Sequence, residues 1–193
     1  MQTFNISKCG DPINCRIPLL FNDDIIISIT HINKNMNYFY RSGHFDELFY
    51  IQYGSGEILT NFGNLKYSKG DYIVIPKGVI WKIKYKDKTK MLVVESKSAI
   101  VTPEKFRNRF GQLLESSPYC ERDIKTPILN KPIKKTGDFL VKVRLDKGIQ
   151  EYVYNSHPFD IIGWDGYYYP WIFNINDFEP IVGSIHQPPS VHQ

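Results

Sequence analysis

The residues best suited to chemistry are five histidines, three cysteines and one glutamate at the mouth of an apolar run. His31, His44, His157, His186 and His192 contain no His-x-His or His-x-x-x-His pair that would bring two imidazoles to one metal. Cys9, Cys15 and Cys120 match neither a zinc spacing nor a disulfide framework, and a reducing cytoplasm is their simplest home. Glu47 opens Leu48-Phe-Tyr-Ile-Gln-Tyr-Gly54 with His44 close by, but one carboxylate and one imidazole do not make a metal site. His186 and His192 bracket Pro188-Pro189, which fixes an extended segment between them. An imidazole titrating near neutrality can accept a proton and return it, and both are candidates for that task. The competing reading for each is a hydrogen bond across a domain junction. His157, before Pro158, reads as a turn anchor, and His31 as part of a strand face. Glu121-Arg122-Asp123 lies between Pro118 and Pro127; an ion-pair network is favoured there over catalysis.

The elements that must position these groups are short strands. Aromatic residues make up 15% of the 193 residues, with 13 Gly and 12 Pro, a composition that favours strands and tight turns over long helices. The length suits one sizeable domain with its own core. A formal charge of +4 is too mild to imply nucleic acid. No apolar run approaches membrane-spanning length and the N-terminus has no signal core, so a soluble chain is expected.

In chain order, residues 1–18 read as irregular. Ile25, Ile27 and Ile29 alternate with polar residues, and Met36 to Arg41 reads as a second strand. The Glu47 strand, a turn near Gly54 and Gly56, and a strand from Asp71 to Pro76 follow. Trp81, Ile83 and Tyr85 share one face of the next strand, with Lys82, Lys84, Lys86, Lys88 and Lys90 on the other. That lysine row reads as the solvated side of an outer strand rather than an anion stripe. Thr102-Pro103-Glu104 signals a helix to about Leu114. Strands are expected at Phe139–Leu145 and Ile149–Tyr154. Tyr167, Tyr168, Tyr169 and Trp171 read as aromatic core rather than pocket lining, and Gly163 and Gly166 as positions that need no side chain.

The layout from Glu47 to Trp81, with Gly70-Asp71 opening a strand and Pro76-x-Gly78 closing it, resembles a cupin barrel. The resemblance implies ligand positions at Glu47, among Tyr40 to Gly43, and at Trp81. Only the glutamate is of ligand type, so the metal site is expected to be filled in. The expected fold is mainly β, a cupin-like β-sandwich or jelly roll with one short helix. The segments are an irregular 1–21, a degenerate barrel over 22–100, a helix and charged connector over 101–136, and an aromatic-rich β extension over 137–193.

Four blocks resemble the N-terminal half of the homogentisate 1,2-dioxygenase family of bacterial type. They are Asp46-Glu-Leu with Gly54-x-Gly56 and Thr60-x-Phe-Gly63; Gly70-Asp-Tyr-Ile-Val-Ile-Pro76; Arg107 to Glu115 with Pro118 to Asp123; and His157 to Gln193. The resemblance implies a non-haem Fe(II) enzyme that opens the ring of homogentisate, or a related dihydroxylated aromatic acid, with O2 in phenylalanine and tyrosine breakdown. It implies homo-oligomers, trimers and hexamers, and a C-terminal cupin barrel beyond Gln193 that holds the iron. No iron ligand is expected in this chain, and none should be bound by it alone. His186 best matches the family's proton-handling histidine, with His192 the second candidate. The alternative is a non-catalytic cupin-like assembly module or a small-acid-binding module around His44 and Glu47.

Overall fold

A computed structural model describes residues 9–179. Ten strands form one connected sheet: β1 (Ile17–Phe21), β2 (Ile25–Ile32), β3 (Phe39–Ser42), β4 (Asp46–Thr60), β5 (Gly63–Tyr67), β6 (Asp71–Ile75), β7 (Trp81–Ser96), β8 (Thr136–Leu145), β9 (Gly148–Ser156) and β10 (Trp171–Asn174). The mainly β expectation holds.

Two long strands, β4 and β7, pair antiparallel along their whole length and carry the architecture. The first half of β4 also pairs β6, which pairs β10, while the second half of β7 pairs β2, which pairs β1. At their other ends β4 pairs β5, and β7 meets β3, which runs parallel to β8 and on to β9. Two arms of sheet therefore share the β4–β7 ladder. Register shifts between Ile51 and Gly56 fall where one arm gives way to the other, as expected of bulges that bend a strand. Gly56 lies there because a Cβ would stand 2.5 Å from both the Lys84 carbonyl oxygen and the Tyr67 hydroxyl.

Alternation decides what the arms enclose. Glu47, Phe49 and Ile51 on β4 and Met91, Val93 and Glu95 on β7 point inward and are buried. Ile32, Tyr40, Ile58, Leu65, Ile73, Trp81, Ile83 and Ile172 join them in one apolar cluster drawn from both arms. A smaller cluster, Phe39, Ile80, Val141 and Val143, packs on the opposite face of β3 and β8 against Phe139, Tyr154 and Phe159.

Three expectations change. The irregular lead-in over 1–21 ends in β1, and Arg16 stands immediately before that strand. The helix expected over Thr102–Leu114 shrinks to a 3-10 turn at Glu104–Phe106. Thr102 spends its hydroxyl on Tyr119 (2.9 Å) rather than on a cap, and the Asn108 carboxamide oxygen accepts from the Phe110 and Gln112 amides, folding the chain back on itself. Third, residues 136–174 do not form an extension of their own: β8 and β9 continue from β3, and β10 from β6.

The lysine row is solvated at Lys84, Lys86 and Lys88. β7 is not an outer strand as a whole, but residues 82–88 have a β-partner only on the β4 side among the described strands. On the open side the Ile83 and Tyr85 amides donate to Met36 Sδ and Asn35 Oδ1. The edge-protection reading therefore applies locally.

Candidate functional site

The centre of the barrel is where the sequence pattern places chemistry. Glu47 stands directly opposite Glu95 across the β4–β7 ladder, with both side chains pointing inward. Two carboxylates buried face to face repel unless a cation lies between them. Arg16 supplies it. Its Nη1 is 2.8 Å from Glu47 Oε1 and 3.2 Å from Glu95 Oε1, and its side chain is only 10% exposed. The second Glu47 oxygen, Oε2, accepts from the Trp81 indole N–H at 3.0 Å. Arg144 Nε lies 3.9 Å from Glu95 Oε1.

Aromatic rings wall this network. The Arg16 guanidinium lies 5.6 Å from the Tyr40 ring centre and 5.7 Å from that of Phe49. Trp81 meets the same two rings edge to face at 5.1 and 5.4 Å. Burial drives the protonation behaviour. It pushes the Glu47 carboxyl above its ordinary range, against the pull of Arg16 and the Trp81 N–H. Burial, reinforced by the Glu47 charge, raises the Tyr40 phenol well above its ordinary value and keeps it neutral. The ionised partners raise Arg16 still further, so its charge is permanent.

Fe(II) does not fit this centre. A facial triad needs two imidazoles and a carboxylate converging with open positions. Here one Glu47 oxygen faces a guanidinium, the other accepts from an indole, and Arg16 itself repels a second cation. Among the described residues no group of three His, Cys, Asp or Glu side chains is placed to hold a metal ion. Trp81, expected to fill a ligand position, points its indole N–H at Glu47. Arg16 was missed, because a lone arginine in a polar segment reads as solvated. The available signal was Glu47 itself: a carboxylate on the apolar face of a strand requires a cation, and Trp81 offers only a neutral donor.

The other candidates scatter. His44 is exposed and lines a surface hollow with Leu145 and Asp146, so it shares no pocket with buried Glu47. His157 anchors its turn as expected: Nδ1 accepts from the Phe159 amide at 3.1 Å, and the ring packs among Phe39, Phe139 and Phe159. Burial lowers its pKa. His31 is buried on β2. His186 and His192 lie outside the described residues. Glu121, Arg122 and Asp123 form no salt bridge among the described residues; Asp123 caps their 3-10 turn by accepting from the Cys120 amide (2.8 Å). The tie to the barrel is made instead by Lys125 to buried Asp71 at 3.2 Å. Cys9, Cys15 and Cys120 form no disulfide among the described residues.

The aromatic run is not core throughout. Ile172 and Phe173 are buried, but Tyr167 is 94% exposed. Tyr168 is exposed and donates its hydroxyl to the Lys77 carbonyl. Tyr169 stacks on Trp164, whose indole N–H donates to the Phe62 carbonyl. Gly166 adopts φ +90°, which favours glycine, whereas Gly163 does not have a positive φ.

The family described as homogentisate 1,2-dioxygenase N-terminal matches residues 17–175. A Saccharolobus solfataricus protein, provisionally named a dioxygenase, is 38% identical over 195 residues, covering 100% of this chain and 50% of that protein. The homogentisate 1,2-dioxygenase of Bradyrhizobium diazoefficiens is 26% identical over 148 residues, 75% of this chain and 32% of its own length. That of Legionella pneumophila (strain Lens) is 25% identical, covering 83% of this chain and 38% of its own length. The chain thus spans about half the length, or less, of these curated relatives. A solved cupin-2 domain protein of Shewanella frigidimarina is 22% identical with a TM-score of 0.39, covering 42% of this chain and 78% of that one. A mainly β chain, it belongs to the homogentisate 1,2-dioxygenase N-terminal family.

Proposed function

We propose that this chain is the framing half of a homogentisate 1,2-dioxygenase-like enzyme of the cytoplasm. In this reading Fe(II) is held by a second barrel supplied by protein beyond these residues, and the assembly is a homo-oligomer. The reaction would open the ring of homogentisate, or of a related dihydroxylated aromatic acid, with O2. The family match over residues 17–175 is the observation that carries the reading. The Arg16–Glu47–Trp81 centre supports the division of labour, because a barrel locked by its own guanidinium is a scaffold and not an iron site. His186 would accept and return a phenolic proton of the substrate, with His192 the second candidate. Among the described residues no helix is long and apolar enough to cross a membrane.

The test has two arms. Loaded anaerobically with Fe(II), the chain alone should show no homogentisate-dependent O2 uptake; turnover would overturn the scaffold assignment. In a full-length protein containing this half, His186→Ala should slow ring opening while iron content stays near stoichiometric. Unchanged turnover would remove His186 from the chemistry. A non-catalytic cupin-like module is the second reading, favoured by the same filled centre. It predicts no ring opening even when an iron-holding half is supplied.

A further inference from the structure

A strand at the margin of a sheet presents a row of unpaired N–H and C=O groups that can template another strand, and folds ordinarily guard such margins. Among the described strands β1, β5, β10 and β9 lie at a margin. β1 carries Pro18 and a register shift between Pro18 and Leu20. On β5, Asn64 exchanges two backbone hydrogen bonds with Ile128, at 3.0 and 2.9 Å. On β10, Ile172 does the same with Lys125, at 2.9 and 2.8 Å. β9 has no such device. Among the described residues it pairs only with β8. It runs nine residues without proline or lysine, and its register against β8 is unbroken from Gly148 to Tyr154.

The strand is also apolar and nearly neutral. Ile149 is 42% exposed, Tyr152 45% and Val153 60%. Its single charge, Glu151, is paired across the hairpin with Lys142 at 2.9 Å. The open stretch of β7 differs, because its row of lysines would repel a copy of itself. Every second residue of an edge strand turns its N–H and C=O away from the neighbour it already has. Main-chain bonding to that free row, with side chains matched at alternate positions, is how a strand is added to a sheet.

We propose that β9 is the seam of a two-fold dimer, pairing antiparallel with β9 of a second copy of this chain about Tyr152. Tyr152 is the midpoint of Gly148–Ser156, so this register matches the strand over its whole length. It sets Glu151 opposite Val153 of the second copy, Ile149 opposite Asn155, and the two Tyr152 side chains beside each other. A register centred on Glu151 would put two carboxylates face to face, which is disfavoured. A two-fold contact uses the same patch on both copies, so it needs a strand that tolerates itself, and β9 does. The seam joins two β3–β8–β9 sheets into one. It names a contact of the homo-oligomer proposed above but rests on the strand edge. It requires neither iron nor turnover, so its failure would leave the ring-opening reading untouched.

The test is sedimentation equilibrium of the whole chain. A species of twice the chain mass is expected, with a dimer Kd of about 100 μM or tighter. Tyr152→Lys sets like charges beside each other on the two-fold axis and should weaken the dimer at least about fivefold. Val153→Glu, facing Glu151 of the second copy, should weaken it about threefold or more, whereas Val153→Lys should hold it within about twofold or tighten it. Both positions are exposed, so the variants are expected to fold. Should one unfold, hydrogen exchange on the unaltered chain decides: amides within residues 149–155 should gain protection as concentration rises from about 5 to 500 μM. A monomer throughout that range, protection gained at β1, β5 or β10 instead, or a dimer indifferent to Tyr152→Lys would each overturn the proposal. Val153→Lys weakening the dimer as much as Tyr152→Lys would overturn the register.

Discussion

Two arginines carry opposite lessons. Arg16 is locked between Glu47 and Glu95 under Tyr40 and Phe49, its Nη1 paired with both carboxylates inside the fold. Arg107 is half-buried beside exposed rings with no answering carboxylate among the described residues. The side chains are chemically identical, so only the surroundings differ. Where the pattern resembles a metal site, the fold has closed the space with its own cation.

The sharpest way to break the contrast is Arg16→Ala. Removing one partner of a buried ion pair costs about 3–5 kcal/mol, and here it would leave Glu47 facing Glu95. Urea unfolding should report that loss near neutral pH. The pH dependence has a definite sign. The Glu47 pKa is raised in the folded state, and losing Arg16, which lowers it, raises it further. A group raised on folding contributes stability below its unfolded value, here 4.5, and loses it as pH rises through the folded value. Arg16→Ala should therefore recover part of its stability on acidification toward pH 4.5, and a variant insensitive to acid would refute the carboxylate pairing.

Trp81→Phe ranks next. It keeps a ring against Tyr40 and Phe49 but withdraws the N–H from Glu47, and about 2 kcal/mol of stability should be lost in the same assay. A neutral result would show that the indole fills space only. Arg107→Met should change stability by less than about 1 kcal/mol in either direction, because no internal ion pair is broken. A loss as large as that for Arg16→Ala would erase the distinction between the two guanidinium groups.

The smallest effect concerns His157. Burial lowers its pKa below the ordinary 6.5, so the unfolded chain binds the extra proton first as pH falls. Its contribution is present above pH 6.5 and is lost as pH drops through the folded value. His157→Gln should flatten the stability profile between neutrality and the folded pKa, as read from thermal midpoints across that range. An unchanged slope would assign the acid sensitivity elsewhere.

The inner half of this contrast was half legible from the residues. Period-two alternation put Trp81 on one face with Ile83 and Tyr85, and the resemblance to a cupin layout singled out Glu47 and implied a filled ligand position at Trp81. Arg16 was invisible because nothing local marks an arginine as buried; its partners come from strands far along the chain. The Thr102-Pro103 helix signal was real chemistry outcompeted by Tyr119 and by the Asn108 turn, and residues such as Phe110 found no apolar surface to cover.

By itself the sequence determined that this is a strand-rich chain broken by tight turns, because alternation, Gly and Pro act over a few residues. Only the tertiary structure decided how the charges pair. It set Glu95 opposite Glu47, brought Arg16 between them, and left Arg107 without a salt bridge among the described residues. The reason is physical: a charge's fate depends on what lies within a few ångströms in space, and those neighbours are set by long-range strand register.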